Sequence, residues 1–189
     1  MKFIRLLKYG LVIEAIRYRL KRVGVDIEAF YLFQGSLNDE LSKASDCRFD
    51  HCSTTILTAR DMDDVAKCQD WRSADNSRSQ LEDGQICLGV KVDNELAAFV
   101  WANLKEWKFK RRTYPLKKDE AYLFDMFTLP EFRGKGLAPI ALDRCYRKLD
   151  AMGIKKFFSV SDFFNTPVIV LHKKIGSIFL RLVIEINMF

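Results

Sequence analysis

The chain has 189 residues, of which 31 are lysine or arginine and 25 are aspartate or glutamate, so its formal net charge is +6. Residues 1–24 hold seven of the basic residues and one acidic residue, which leaves 24 of each sign in a neutral remainder. A nucleic-acid-binding domain spreads its lysine and arginine over the folded surface, so this distribution argues against a nucleic-acid partner. The length suits a single domain with a hydrophobic core.

Cysteine and histidine residues are too few and too scattered to form a recognisable metal site. The five cysteines contain no CxxC pair, and the two histidines are His51 and His172. Structural zinc sites need closely spaced pairs of such ligands. We therefore predict no metal, and free thiols as in a reducing cytoplasm. No apolar run reaches the roughly 18 residues of a spanning helix, so we expect a cytoplasmic protein, or one held peripherally at the inner membrane surface.

The N-terminal segment predicts a basic amphipathic helix over residues 2–22, followed by a linker over residues 34–50. We place the domain boundary there, with a helix and linker in residues 1–50 and the folded domain in residues 51–189. Such a helix can bind an anionic membrane surface. Two alternatives are that its apolar stripe docks on the domain, or on a second copy of the chain in a homodimer.

From residue 53 onward, the hydrophobic pattern predicts alternating strands and helices. Asp93 and Asn94 predict a tight turn between two hairpin strands. The polar stretch 105–120 predicts a mobile loop, and the element order β-α-β-β-β-α-β-α-β indicates an α/β fold with a mixed sheet. The predicted strands are 54–60, 85–92, 95–104, 121–129, 155–163 and 177–189, and the predicted helices are 62–72, 137–152 and 166–175.

The stretch "TLPEFRGKGLAPIAL" places glycines and cations at the start of a predicted helix. Pro139 is tolerated in the first turn of a helix and not in its interior, so the helix begins near Gly136 or Leu137. Backbone N–H groups at a helix start are unsatisfied and lie at the positive end of the helix dipole, which suits an anion. The alternative is that the glycines serve only close packing of the helix on the preceding strand.

This stretch closely resembles the acyl-CoA-binding motif [R/Q]-x-x-G-x-[G/A] of the GNAT superfamily of N-acetyltransferases. Arg133, Gly136 and Ala138 occupy its three defined positions, and Asn165 and Gly176 match a second family segment in part. The resemblance covers about residues 53–189. It implies a GNAT-like α/β fold, a mixed central sheet flanked by helices, to which the N-terminal amphipathic helix is an addition.

The resemblance also implies how acetyl-CoA, or another acyl-CoA, is held as cosubstrate. Backbone amides after the strand would bind the pyrophosphate, the strand itself would bind the pantetheine arm, and the N–H near Phe127 would polarise the thioester carbonyl. The cofactor-binding residues predicted in this way are Met126, Phe127, Thr128, Arg133, Gly134, Lys135, Gly136, Leu137, Ala138 and Asn165.

Two catalytic residues are predicted. His172 occupies the position of the family's usual tyrosine, which protonates the leaving thiolate, although a helix residue facing solvent is an equal alternative. Asp125 is the candidate general base, because a carboxylate within an apolar strand is costly to bury unless it is paired or useful. Strand alternation puts Asp125 and Phe127 on one face, with Phe124 and Met126 on the other. An ion pair with the basic loop is the structural alternative for Asp125.

Further predictions concern the acidic, serine and tryptophan residues near the site. Glu120 and Asp162 are alternative bases, and Ser177 replaces an aromatic residue that is usual in the family after Gly176. Trp101 and Trp107 flank the polar loop and are candidates for contact with the acceptor.

The predicted function is transfer of an acetyl group from acetyl-CoA to a primary amine of a small metabolite or amino sugar by direct attack. One alternative is a longer acyl group delivered by an acyl carrier protein that docks on residues 1–24. Another is a non-catalytic acyl-CoA-binding module. A peptide or ribosomal-protein N-terminus is a further possible acceptor.

Overall fold

The computed structural model describes residues 11–46, 49, 51–68, 73–110 and 112–188, with side chains from residue 17 onward. The helices are Leu11–Arg22 (α1), Asp39–Ala44 (α2), Met62–Lys67 (α3), Ala74–Glu82 (α4), Leu137–Asp150 (α5) and Thr166–Lys174 (α6). The strands are Val25–Gly35 (β1), Cys52–Ile56 (β2), Ile86–Val92 (β3), Glu95–Asn103 (β4), Glu106–Phe109 (β5), Arg112–Pro115 (β6), Glu120–Thr128 (β7), Lys156–Asp162 (β8) and Ile178–Met188 (β9).

Strands other than β5 and β6 form one sheet in the order β2-β3-β4-β7-β8-β1-β9. Neighbouring strands are antiparallel except β7 and β8, which are parallel and are connected through α5. The turn between β3 and β4 is made by Asp93 and Asn94, both with positive φ (51° and 68°). Positive φ at both central residues is the geometry of the type I′ hairpin turn, so the predicted turn is confirmed.

Two hydrophobic clusters lie on opposite faces of this sheet, because successive residues of β4 point to opposite sides. Val100 and Ala102 face the cluster that includes the buried stripe of α5, with Leu137 and Ile140 at its start. Phe99 and Trp101 face the other cluster, which is closed by α3. The predicted mixed α/β sheet flanked by helices is thus confirmed. A side chain of a central strand points either to the α5 cluster or to the α3 cluster.

The segment before residue 51 differs from its prediction. Residues 2–10 of the predicted helix lie outside the described residues, and α1 covers the rest. The predicted linker over 34–50 instead contains the end of β1 and the whole of α2, and β1 is an internal strand of the sheet, between β8 and the edge strand β9. The acidic Asp26 and Glu28 obscure a strand in the sequence, whereas in the fold Arg17 forms ion pairs with both at 3.2 and 2.9 Å.

The prediction of a mobile loop over the polar stretch 105–120 is wrong for residues 106–109 and 112–115. They form the hairpin β5–β6, because alternating aromatic side chains bind it to the sheet. The Trp107 ring stacks on Tyr114 at 4.4 Å and lies 5.3 Å from Tyr122 of β7. Phe109 meets Phe30 of β1 edge-to-face at 4.8 Å. These rings bury apolar surface. The sequence does not predict this, because charged residues surround the aromatic ones.

Replacing Gly35 with alanine is expected to destabilise the protein by roughly 1–3 kcal/mol, the usual cost of overpacking a core. A Cβ at Gly35 would lie 2.1 Å from the Tyr146 hydroxyl of α5. That ring cannot yield, since it is buried and stacked on Phe157 at 4.0 Å. The urea midpoint of Gly35→Ala measures the effect against Ser36→Ala. An unchanged midpoint would contradict the close packing of β1 against α5.

None of the helices that the structure describes is long and apolar enough to cross a bilayer. Within the same residues, no group of three histidine, cysteine or acidic side chains is arranged to hold a metal ion.

Candidate active site

The glycine-rich turn forms an open cradle at the start of α5. Gly134 and Gly136 adopt left-handed backbone conformations, with φ of 73° and 86°, and helix α5 begins at Leu137 as predicted. A Cβ added at either glycine would meet no atom within 4 Å. Close packing therefore does not explain these glycines. They provide the turn and leave the space in front of the N–H groups of Leu137 and Ala138 open to a ligand.

The two cations of the motif are exposed at the rim of this cradle. Arg133 donates a hydrogen bond from Nε to the Thr128 carbonyl oxygen at 3.0 Å, and its guanidinium lies over the Phe127 ring at 5.5 Å. The Lys135 ammonium lies 5.5 Å from the Phe132 ring centre. The aromatic rings hold both side chains near the cradle, where their charge adds to the positive end of the α5 dipole.

Next to the cradle, the parallel strands β7 and β8 separate. Their pairing runs from Glu120–Lys156 to Leu123–Ser159 and stops there, although β7 continues to Thr128 and β8 to Asp162. A cavity of about 200 Å³ lies at this divergence. Its walls include five of the residues singled out in the sequence, namely Asp125, Met126, Asp162, Asn165 and His172.

A β-bulge in β7 changes which side chains share a face. Trp101 pairs with Phe124 and Phe99 with Phe127, so two residues of β7, Asp125 and Met126, lie opposite Val100 of β4. Asp125 has a φ of 45°, in the left-handed region.

The predicted alternation, with Asp125 and Phe127 on one face and Phe124 and Met126 on the other, is therefore wrong. Phe124 and Phe127 share the face of Trp101 and Phe99, and their rings stack on these at 6.2 and 5.8 Å. Met126 packs on the opposite face with the α5 cluster. Simple alternation cannot reveal this, because one extra residue in a strand shifts every later side chain to the other face.

His172 lies on the inner side of α6, and the alternative of a solvent-facing residue is excluded by its 3% exposure. Its ring stacks on Phe33 of β1 at 4.1 Å between centres. Nε2 is 3.2 Å from the Ser159 hydroxyl, and Nδ1 is 2.9 Å from the Ser177 hydroxyl. Burial lowers the pKa of His172 to about 4, so the imidazole is neutral near pH 7.

The two serines were missed as site residues. Ser159 is the last β8 residue paired with β7, and it lines the cavity. Ser177 follows α6 and was recognised only as a departure from the family pattern. Nothing local in the sequence joins residues 159, 172 and 177, since the contact arises where β8, α6 and the start of β9 meet.

Asn165 serves a structural purpose as well as lining the cavity. Its side-chain oxygen accepts a hydrogen bond from the Val168 N–H at 3.4 Å and thereby caps the N-terminus of α6. The cap fixes the helix that carries His172.

Of the remaining predicted site residues, only Asp162 lines the cavity. Asp162 lines the cavity and accepts a hydrogen bond from the Phe164 N–H at 2.7 Å. Glu120 lies at the other end of β7, where it accepts from the Lys117 N–H and is not part of the cavity wall. Trp101 is fully buried in the core, and Trp107 of β5 is 8% exposed, on the side of the hairpin that faces Tyr122.

We expect the buried, neutral His172 to make stability fall as pH falls. Its folded pKa of about 4 lies below the ordinary value near 6.5, so the unfolded chain binds the proton more tightly between these values. The contribution of the neutral His172 to the free energy of unfolding is fully present above pH 6.5. It is lost as pH falls toward 4, by up to roughly 3 kcal/mol. Urea unfolding of wild type and His172→Phe at pH 7 and pH 4.5 checks this, because phenylalanine keeps a ring on Phe33 without titrating. An equal loss in both proteins would contradict it.

Comparison with known proteins agrees with this geometry. The acetyltransferase (GNAT) family model matches residues 51–176, which is more than half of the chain and includes the cradle and the cavity. The chain belongs to the GNAT acetyltransferase family. Among curated protein sequences, none matches this GNAT chain.

Solved structures share the GNAT fold at low sequence identity. A functionally unknown conserved protein from Staphylococcus epidermidis has a TM-score of 0.62 and 12% identity over 90% of this chain. The match covers 65% of that protein, so this chain spans less than two thirds of it.

Two smaller enzymes are also similar in fold. The ribosomal-protein-S18-alanine N-acetyltransferase from Escherichia coli has a TM-score of 0.57 and 15% identity, covering 72% of this chain and 93% of the enzyme. An aminoglycoside 6′-N-acetyltransferase from Acinetobacter baumannii has a TM-score of 0.54 and 17% identity, covering 70% and 95%.

Proposed function

We propose that this GNAT protein transfers an acetyl group from acetyl-CoA to a primary amine of a small metabolite or amino sugar. The observation that carries the proposal is the open glycine cradle beside the divergence of β7 and β8. A helix start with two left-handed glycines and two cations fits a pyrophosphate. The gap beyond Leu123–Ser159 fits an extended arm lying along the unpaired edges of the two strands.

The reaction would join the amine nitrogen to the thioester carbonyl carbon, break the carbon–sulfur bond and release the thiol form of coenzyme A. One proton must leave the amine and one must reach the departing sulfur. Asp125 lines the cavity and is proposed to accept the first proton, directly or through water. Its position at the bulge places the carboxylate beside the strand edge that would hold the thioester.

The second proton is proposed to pass along a relay of Ser177, His172 and Ser159. A neutral imidazole is too weak an acid to act alone, but it can pass a proton on. It donates one from Nε2 while it accepts another at Nδ1. Ser159 would donate its hydroxyl proton to the sulfur and regain one from Nε2. Ser177 would donate its hydroxyl proton to Nδ1 and regain one from solvent water, and the proton that leaves the amine restores the balance in solvent. Ser177 is half-buried, which leaves the outer end of the relay near solvent.

The proposed acceptor class is supported by similar structures and by an aromatic face of β7. Two proteins of the same fold act on amines, one on a ribosomal-protein alanine and one on an aminoglycoside, as their names state. The aromatic face around Phe124 and Tyr122, covered in part by the β5–β6 hairpin, is the proposed acceptor side. An aromatic wall suits a small cyclic amine better than a flexible peptide.

The test is a screen of amino sugars, small amines and N-terminal peptides with acetyl-CoA, read as release of free thiol. Turnover with an amino sugar or small amine is the expected result. Turnover restricted to peptides would overturn the acceptor class. Absence of turnover with every amine, together with measurable acetyl-CoA binding, would indicate the non-catalytic module instead.

A further inference from the structure

The outer edge of β9 is long, apolar and exposed. Among the described residues, none pairs with this edge, since β9 is the last strand of the sheet. Seven of its eleven residues are large apolar side chains that are between 41% and 82% exposed, namely Ile178, Phe179, Leu180, Leu182, Ile184, Ile186 and Met188. An unpaired strand edge presents a row of N–H and C=O groups, and proteins normally protect it with charge, proline or short length.

The opposite edge of the same sheet is protected in this way. β2 has five residues, Cys52–Ile56, three of which are serine or threonine. β9 is more than twice as long and contains neither proline nor lysine. The two edges of the sheet thus differ in length and polarity, which are features that decide whether an edge strand pairs with another strand.

The charged residues of β9 indicate which strand would pair with its free edge. Its two charged residues are Arg181 and Glu185, of opposite sign and placed symmetrically about Val183. Within the part of the chain that the structure describes, Glu185 Oε2 is buried without a hydrogen-bond partner. Its cross-strand neighbour on β1 is Glu28, another carboxylate, which is bound by Arg17 and Lys110. Among the residues that the structure describes, Glu185 therefore has no cationic partner.

We propose that β9 pairs antiparallel with β9 of a second copy, about a two-fold axis through Val183. In that register Val183 faces Val183 of the second copy. Arg181 faces Glu185 of the second copy, and the symmetry makes this pair twice. Leu182 meets Ile184, and Leu180 meets Ile186, so apolar side chains adjoin along the seam. The homodimer goes beyond the proposed function, because it does not depend on any catalytic step.

Light scattering of the full chain across a concentration series is the first test, and a dimer is expected. Arg181→Glu puts like charges opposite each other at two places, and we expect it to raise the dimer dissociation constant at least about tenfold. The double variant Arg181→Glu with Glu185→Arg restores both pairs and is expected to recover dimerisation. This recovery separates loss of the interface from loss of folding, which circular dichroism checks in parallel.

Oxidative cross-linking tests the register itself. Val183→Cys is expected to form an intermolecular disulfide, since directly opposite residues have Cα atoms about 4.5–5.5 Å apart, within disulfide reach. In Ile186→Cys the two new thiols would be roughly 20 Å apart along the strands, and no cross-link above the wild-type background is expected.

A monomer at all concentrations would overturn the proposal, and would mean that another segment of the chain or another surface covers the edge. A dimer that tolerates Arg181→Glu unchanged, or that cross-links equally through both cysteines, would also overturn it, by placing the interface elsewhere.

Discussion

Gly136→Glu is expected to weaken acetyl-CoA binding by at least about 100-fold. Gly136 has a φ of 86°, which a residue with a Cβ adopts at a cost of about 1–2 kcal/mol. The new carboxylate would also stand in the open cradle where the proposed pyrophosphate lies, and would repel it. The backbone strain is the same with and without ligand, so the roughly 2.7 kcal/mol that a 100-fold change in affinity requires is expected from the clash and the charge repulsion. Isothermal titration with acetyl-CoA measures the result.

The chain offers a matched control in Gly153. This residue also has a left-handed φ, 90°, and a Cβ there would meet no atom within 4 Å. Gly153→Glu therefore introduces the same side chain at the same kind of backbone position, but beyond the far end of α5. We expect its affinity for acetyl-CoA to equal that of wild type. Similar affinity in both variants would contradict the cradle as the pyrophosphate site.

The second large effect is expected at the proposed relay. Ser159→Ala and His172→Phe should each lower kcat with acetyl-CoA by about 100-fold, the lower range for loss of a positioned proton donor. Acetyl-CoA affinity should change little. Because the two residues act in series, the double variant should be no slower than the slower single variant. Steady-state kinetics with any accepted amine gives these values.

Two further measurements separate a relay from a structural role. The wild-type kcat should show no inflection from His172 between pH 5.5 and 8, because burial keeps its pKa at about 4. A fall in kcat through pH 6.5 that His172→Phe abolishes would instead indicate an imidazolium acid. Ser77→Ala, at a buried serine of α4 outside the cavity wall, controls for loss of a buried hydroxyl. Additive losses in the double variant would contradict the relay.

The sequence determined those features that depend on short-range chemistry. Pro139 and the two glycines predict where α5 begins, and the structure starts the helix at Leu137. The Asp93–Asn94 turn depends on residues that tolerate positive φ, so it too is readable locally. The family motif gave the fold class for the same reason, since it consists of backbone requirements within a few residues.

The tertiary structure alone decided the features that depend on partners distant in the chain. The acidic strand β1 is stable within the sheet because Arg17 neutralises it, and it supplies Phe33 to hold His172. The bulge at Asp125 is set by pairing with β4, and it changes which side chains face the cavity.

The protonation state of His172 also depends on residues that are distant in the chain. Its low pKa and its two serine partners come from burial between elements that lie apart in the sequence. A sequence can therefore specify a backbone cradle within a few residues, whereas the protonation of a side chain depends on everything that excludes water from it.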